Sequence, residues 1–369
     1  MSYGNYPNLS LVRRILVVKM RHHGDVLLTS PVFTNLKKYL QNVEIDALLY
    51  QETLPMLEGH PAISEFLLYD RSWKKLNIFK RMGRELMLLK RIRKKKYDLV
   101  LNLTEGDRGA IAALAAGSRY RVGFDPQGKG FKGKKNVYSH LVKHCHQPRH
   151  TVEKQLDALR RLGIFPLENE RELLFYVPED AKEKMRKRLK EQEIDLRRAV
   201  VIHPVSRWRF KCLPARTIID LIRKLQREGW HPVLSGSADP QEMNDLAGIC
   251  EQTSACSFAG QMSLKELGAL LSLSACLICV DSVPLHMASA LKTPVVAFFG
   301  PTSEKNWGPW RHPRGVVVSK SLPCRPCFMD GCGGSKVSDC LTTLEVEEIY
   351  SAFKNVVEAE ELASTTVVP

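Results

Sequence analysis

Three residues able to do chemistry fall together in Asp281-Ser282-Val283-Pro284-Leu285-His286, directly after the apolar run Leu277 to Val280. Four consecutive apolar residues predict a strand covered on both faces, as parallel sheets require. Asp281 and Ser282 are good N-cap residues, and Pro284 suits the first helical position, where no N–H is needed. The pattern therefore predicts a strand, a sharp turn and a short helix stopping near Thr293-Pro294, with a second buried strand through Val295 to Phe299. Ligands of open α/β sheets sit at the carboxyl ends of the strands, and free amides at a helix N-terminus there favour a phosphate. His286 would reach such a ligand, or else simply pack inside an ordinary strand–helix–strand unit.

Two further groups occupy equivalent places. Asp25 follows the strand predicted for Arg14 to Met20 and the turn Arg21-His22-His23-Gly24, at the start of a helix predicted over Val26 to Leu40. There it serves either as a helix cap that gains from the dipole or as a general base facing whatever docks at the sheet edge. Lys211 ends the basic loop that follows the strand Ala199 to His203. A lysine there is a natural phosphate contact, or else faces solvent. Cys324-x2-Cys327-x4-Cys332-x7-Cys340 could place four thiolates around zinc or an iron–sulfur cluster; the irregular spacing fits a thiol-rich loop or an oxidisable pair as well.

These groups need a scaffold of alternating strands and helices. Residues 1–178 read as one Rossmann-like domain, 179–198 as a charged linker helix, 199–345 as a second Rossmann-like domain, and 346–369 as a C-terminal helix and tail. The 369-residue length suits two cores. The formal charge of +15 and a pI near 9.4 point to an acidic partner: nucleic acid, an anionic membrane face or a phosphorylated substrate. The stretch Arg71 to Lys96 has one acidic residue, Glu85, and apolar Leu76, Phe79, Met82, Leu86, Leu89 and Ile92 at helical spacing. It predicts one or two amphipathic helices with a basic outer face, which either is solvated or rests on anionic lipid. Aromatic residues are not interleaved with the basic ones as stacking platforms for nucleic acid would require, so nucleic acid is not expected as a partner. No apolar run spans a bilayer and no signal peptide is evident, and ten cysteines in a chain this long fit a reducing compartment. A cytoplasmic protein is expected.

The motifs Lys19-x4-Gly24-Asp25, Lys211-x2-Pro214, Gly236 to Glu242, Met262-Ser263-Leu264, Asp281-Ser282-x2-Leu285-His286 and Gly300-Pro301-Thr302 occur in order. Together they resemble the lipopolysaccharide core heptosyltransferases of glycosyltransferase family 9. The likeness runs from about Arg14 to Tyr350. Met20 to Asp25 and Leu48 to Thr53 are similar to the third-heptosyltransferase branch, which adds the side-branch heptose to the second core heptose. The resemblance implies a GT-B architecture, two facing Rossmann-like domains with a central cleft, with acceptor binding in the first and donor binding in the second. It implies inverting transfer from ADP-L-glycero-D-manno-heptose to the phosphorylated inner core, without a metal cofactor, at the cytoplasmic face of the inner membrane. By position, Asp25 matches the general base and Lys211 the cation on the leaving diphosphate. Glu242 and Met262 match contacts to ribose and adenine, and Asp281, Ser282, Val283 and His286 match the diphosphate and heptose loop. Arg21, His22 and His23 fall where the acceptor would bind. Val283 stands where the family often has glycine, so its backbone contact with phosphate is expected to differ. The alternatives are another GT-B enzyme using a different nucleotide sugar, or a non-catalytic basic protein binding membrane or RNA.

Overall fold

The structure, a computed structural model, describes residues 6–365, with side chains through residue 358. Residues 1–5 and 366–369, the beginning of the first expected domain and the end of the polar tail, lie outside the described residues. The chain divides into two compact units between Tyr176 and Val177.

In the first unit, β1 (Arg14–Lys19), β2 (Glu44–Tyr50), β3 (Glu65–Tyr69), β4 (Leu99–Asn102), β5 (Tyr120–Phe124) and β6 (His140–Val142) form one sheet ordered β3-β2-β1-β4-β5-β6. Every neighbouring pair is parallel. Ile15 to Val18 are fully buried, so β1 is covered on both faces and its apolar run does not alternate. Strand order reverses between β1 and β4, which makes their carboxyl ends the switch point of this sheet. The connecting helices are α1 (His23–Leu27), α2 (Ser30–Tyr39), α3 (Ile78–Lys94), α4 (Asp107–Ala116) and α5 (Thr151–Arg160).

Two expectations change here. The single helix over 26–40 is two, because Pro31 has no N–H for a continuous ladder, and α2 restarts with this proline in its first turn. At the break the Thr29 hydroxyl donates back to the Val26 carbonyl at 2.6 Å. The apolar stripe of the basic segment also does not all face inward. Ile92 is buried and Leu89 packs on the core, whereas Leu76, Phe79, Met82 and Leu86 are exposed.

The second unit repeats the plan. Its strands β7 (Ala199–His203), β8 (His231–Leu234), β9 (Cys256–Ser257), β10 (Cys276–Val280), β11 (Val295–Phe298) and β12 (Gly315–Val318) are ordered β12-β11-β10-β7-β8-β9, all parallel. The reversal lies between β7 and β10. Helices α6 (Glu179–Glu191), α7 (Ala215–Arg227), α8 (Pro240–Thr253), α9 (Leu264–Leu273), α10 (Val283–Leu291), α11 (Glu304–Trp307), α12 (Asp339–Thr342) and α13 (Val346–Thr365) surround it. The segment expected as a linker is packed: α6 lies on α9, where Lys184 pairs with Glu266 and Arg188 stacks over Phe258. The C-terminal helix is likewise part of this core, with Ile349 and Phe353 fully buried and Phe353 edge-on to Trp230 at 5.0 Å. Among the described residues no helix is long and apolar enough to cross a membrane.

Candidate active site

The switch point of the second sheet carries an ion pair between the half-buried Lys211 and the buried Asp281. The Lys211 Nζ lies 2.6 Å from Asp281 Oδ2 and 3.5 Å from the Asp281 carbonyl oxygen. Lys211 follows β7 and Asp281 follows β10, the two strands that flank the reversal, so the pair forms where the fold opens a crevice. Thr302, beyond β11, donates its hydroxyl to the same Asp281 oxygen at 2.8 Å. The turn bearing Lys211 is held from below: Phe210 is buried, and its carbonyl accepts the Ser338 hydroxyl at 2.7 Å. Three separate chain segments thus fix one ammonium at the sheet edge, a geometry suited to an oxyanion ligand.

Asp281 leads into α10. Ser282 is the N-cap residue, yet its hydroxyl donates to the Val280 carbonyl at 3.2 Å and makes no side-chain cap. The first amides of α10 therefore keep the anion preference of an uncapped helix start. Val283 opens the helix at its first position and is not among the residues with positive φ, so the β-branched side chain meets no backbone strain there. Pro284 sits at the second position rather than the first. His286 is buried and its ring lies 6.3 Å from that of Trp307, which supports the packing role weighed for it.

Gly300 needs to be glycine. A Cβ there would meet Leu341 Cδ1 at 2.6 Å and Cys340 Sγ at 3.4 Å, and both neighbours are buried. Gly300→Ala is expected to lower stability by about 1–3 kcal/mol through overpacking, read as a shift in the urea midpoint. Arg325 clamps the same strand end, donating to the Gly300 carbonyl at 2.6 Å and pairing with Glu304 at 3.1 Å.

In the first unit, Lys19 ends β1 and is buried; its Nζ donates to the Leu103 carbonyl at 3.0 Å across the switch point. Met20 N donates to Thr104 Oγ1 at 2.8 Å, a second bridge between the ends of β1 and β4. Asp25 is the third residue of α1 and half-buried; His22, not Asp25, is the N-cap residue. Asp25 is thus not the cap, though its carboxylate lies in the first turn where the helix dipole favours it, and among the described residues no hydrogen bond or ion pair engages it. Arg21 and His22 are exposed, whereas the His23 Nε2 meets the Glu52 carbonyl oxygen at 2.8 Å, so His23 ties α1 to the segment 51–56.

Burial pushes the Lys19 ammonium down to about 8, with the Asp25 charge opposing. In the unfolded chain this lysine titrates near 10.5, so between pH 8 and 10.5 the unfolded state binds more protons and stability rises with pH. Relative to Lys19→Met, the wild-type protein is expected to gain about 3 kcal/mol across that window. Urea melts at stepped pH check this, and a flat difference would contradict it.

The model for glycosyltransferase family 9 (heptosyltransferase) matches residues 86–337. Lipopolysaccharide heptosyltransferase 3 of Escherichia coli is 33% identical over 294 residues, 79% of this chain and 84% of that one. The chain belongs to glycosyltransferase family 9. The family 9 protein of Veillonella parvula shares its fold with a TM-score of 0.82 at 20% identity, covering 96% of this chain and all of that one. Escherichia coli heptosyltransferase WaaC, solved with ADP-2-deoxy-2-fluoro heptose, gives 0.71 at 18% identity, covering 93% and 99%. These likenesses show the GT-B fold, and as a family 9 member the protein is a glycosyltransferase.

Within this family 9 chain the remaining expected donor residues stand as follows. Glu242 accepts from Ser237 N at 2.9 Å and Ser237 Oγ at 2.6 Å, closing the loop after β8. Met262 is half-buried directly before Ser263, which caps α9 in a capping box with Glu266. His203, at the end of β7, was missed; it is buried, its Nδ1 lies 3.0 Å from Ser235 Oγ, and burial pushes it down to about 4. Thr302, Arg325 and Ser338 were also missed as positioning groups. Only the Gly-Pro-Thr ending of the β11 run hinted at the first.

The possible metal cage is corrected. Among the described residues no three His, Cys, Asp or Glu side chains are arranged to hold a metal ion. Cys324 and Cys332 are exposed, while Cys340 is buried against Gly300. The Cys332 sulfur accepts from Asp339 N at 3.4 Å. The segment is a thiol-bearing loop held by Arg325 and Ser338.

Proposed function

We propose that this enzyme transfers L-glycero-D-manno-heptose from its ADP-activated form to the inner core of lipopolysaccharide, inverting the anomeric carbon and adding the side-branch heptose on the second core heptose. The observation that carries the donor half is the Lys211–Asp281–Thr302 cluster beside the uncapped start of α10. The donor is supported by the ADP-heptose analogue bound to WaaC, and the acceptor by the name of the 33% identical relative.

In this reading Asp25 accepts the proton of the acceptor hydroxyl as its oxygen bonds to the anomeric carbon of the heptose. The bond from that carbon to the diphosphate oxygen breaks on the opposite face, and ADP departs with the electron pair. Lys211 and the α10 amides meet the charge that develops there. Glu242 and Met262 contact ribose and adenine; Arg21, His22 and His23 border the acceptor. Leaving-group stabilisation is assigned to this cation and these dipoles, and no metal cofactor is invoked.

The test is incubation of the purified protein with ADP-heptose and core oligosaccharides truncated at successive sugars, followed by mass spectrometry. One added heptose on the acceptor that ends in the second core heptose is expected, and none from UDP- or GDP-sugars. Failure to extend any acceptor removes this reading.

A further inference from the structure

The apolar side chains of α3 form one broad arc, and the core of the first unit covers only part of it. Leu88, Leu89 and Ile92 turn inward onto the core of the first unit. Phe79, Met82 and Leu86, spaced i, i+3 and i+7, form the uncovered part of this arc, a stripe 82%, 51% and 51% exposed. Ile78 extends the stripe at 58% exposure. The neighbouring α4, packed on α3 in the same helical layer, leaves Ile111 and Leu114 exposed as well. A row of aliphatic and aromatic side chains of this size marks a surface that is covered by something.

Its charge identifies the cover. Residues 71–96 carry twelve Lys and Arg and a single acid, Glu85. That acid is engaged, accepting from Tyr69 OH at 2.7 Å and pairing with Arg81 at 3.2 Å. Lys74, Lys75, Lys80, Arg84, Lys90 and Lys94 are exposed around the stripe. A second copy of the chain would bring two such basic faces together, which repels. A nucleic acid would meet the cations but leave Phe79, Met82 and Leu86 in water. An anionic lipid surface takes both, with headgroups on the lysines and the stripe at the acyl boundary.

We infer that α3 is a membrane-docking helix that inserts Phe79, Met82 and Leu86 into an anionic lipid surface. Binding is independent of the transfer reading, since it needs neither donor nor acceptor.

The test is co-flotation of the full chain with phosphatidylcholine vesicles, with and without about one third phosphatidylglycerol. The wild type is expected on the anionic vesicles alone. Phe79→Ser/Met82→Ser/Leu86→Ser should weaken this binding by about tenfold or more. Lys80→Gln/Lys90→Gln/Lys94→Gln should weaken it by about a hundredfold, roughly fivefold per lysine. Both variants should keep the wild-type circular dichroism melt and the wild-type rate on a soluble acceptor. No vesicle binding by the wild type, or equal binding by the serine variant, overturns the inference. So does a change of sedimenting mass on serine substitution, which would assign the stripe to a second copy.

Discussion

Asp25→Asn is expected to lower kcat for heptose transfer by about 10²–10⁴-fold while leaving ADP-heptose affinity unchanged. The substitution keeps the shape of the side chain and removes its capacity to take a proton. Among the described residues no hydrogen bond or ion pair engages the Asp25 carboxylate, so the substitution breaks no such bond. It also removes the charge that supports the buried Lys19 ammonium, and an unchanged urea midpoint separates that effect from the loss of a base. Turnover by mass spectrometry and donor binding by calorimetry read the two effects separately. If turnover survives within about tenfold, the base is another group.

Lys211→Ala should cost about 10²–10³ in kcat and weaken donor binding as well, because in the proposed reading this ammonium meets the diphosphate in both ground and transition states. A structural penalty comes with it. Asp281 is 6% exposed and would keep only the Thr302 hydroxyl; such an uncompensated buried charge costs about 3 kcal/mol. The two contributions separate in a double variant. Lys211→Met/Asp281→Asn removes the orphaned charge and should recover most of the urea stability, yet it restores no transfer. Recovery of transfer in the double variant would make Lys211 a structural residue.

The strand framework was legible because parallel strands buried on both faces read as unbroken apolar runs. Cys276 to Val280 and Ala199 to His203 are plain examples, and both end in the residues that matter. Placing Asp25 and Lys211 at equivalent strand ends needed only this pattern. The partnership of Lys211 with Asp281 was not legible, since 70 residues separate them and only the order β10-β7 brings them together. Short edge strands escaped for a related reason: β9 has two residues, and β12 follows a loop rich in Pro and Arg. The outward stripe of α3 was misread because periodicity marks an apolar arc without its cover. Phe79 and Ile92 belong to one broad apolar arc, and burial alone shows which part of it the core covers. For the cysteines, spacing described a possible cage, but among the described residues the side chains are not arranged as one, and Cys340 is buried apart from the exposed Cys324 and Cys332.

Both sheets wind outward from the strand that comes first in their half of the chain, and Asp25 and Lys211, the side chains proposed to react, each follow that strand. In the proposed reading, the codons for sugar-nucleotide recognition and those for glycan recognition are therefore two separate blocks of the gene. Selection can drift one block toward a new acceptor, or exchange it wholesale by recombination, while the other block still recognises the same activated sugar.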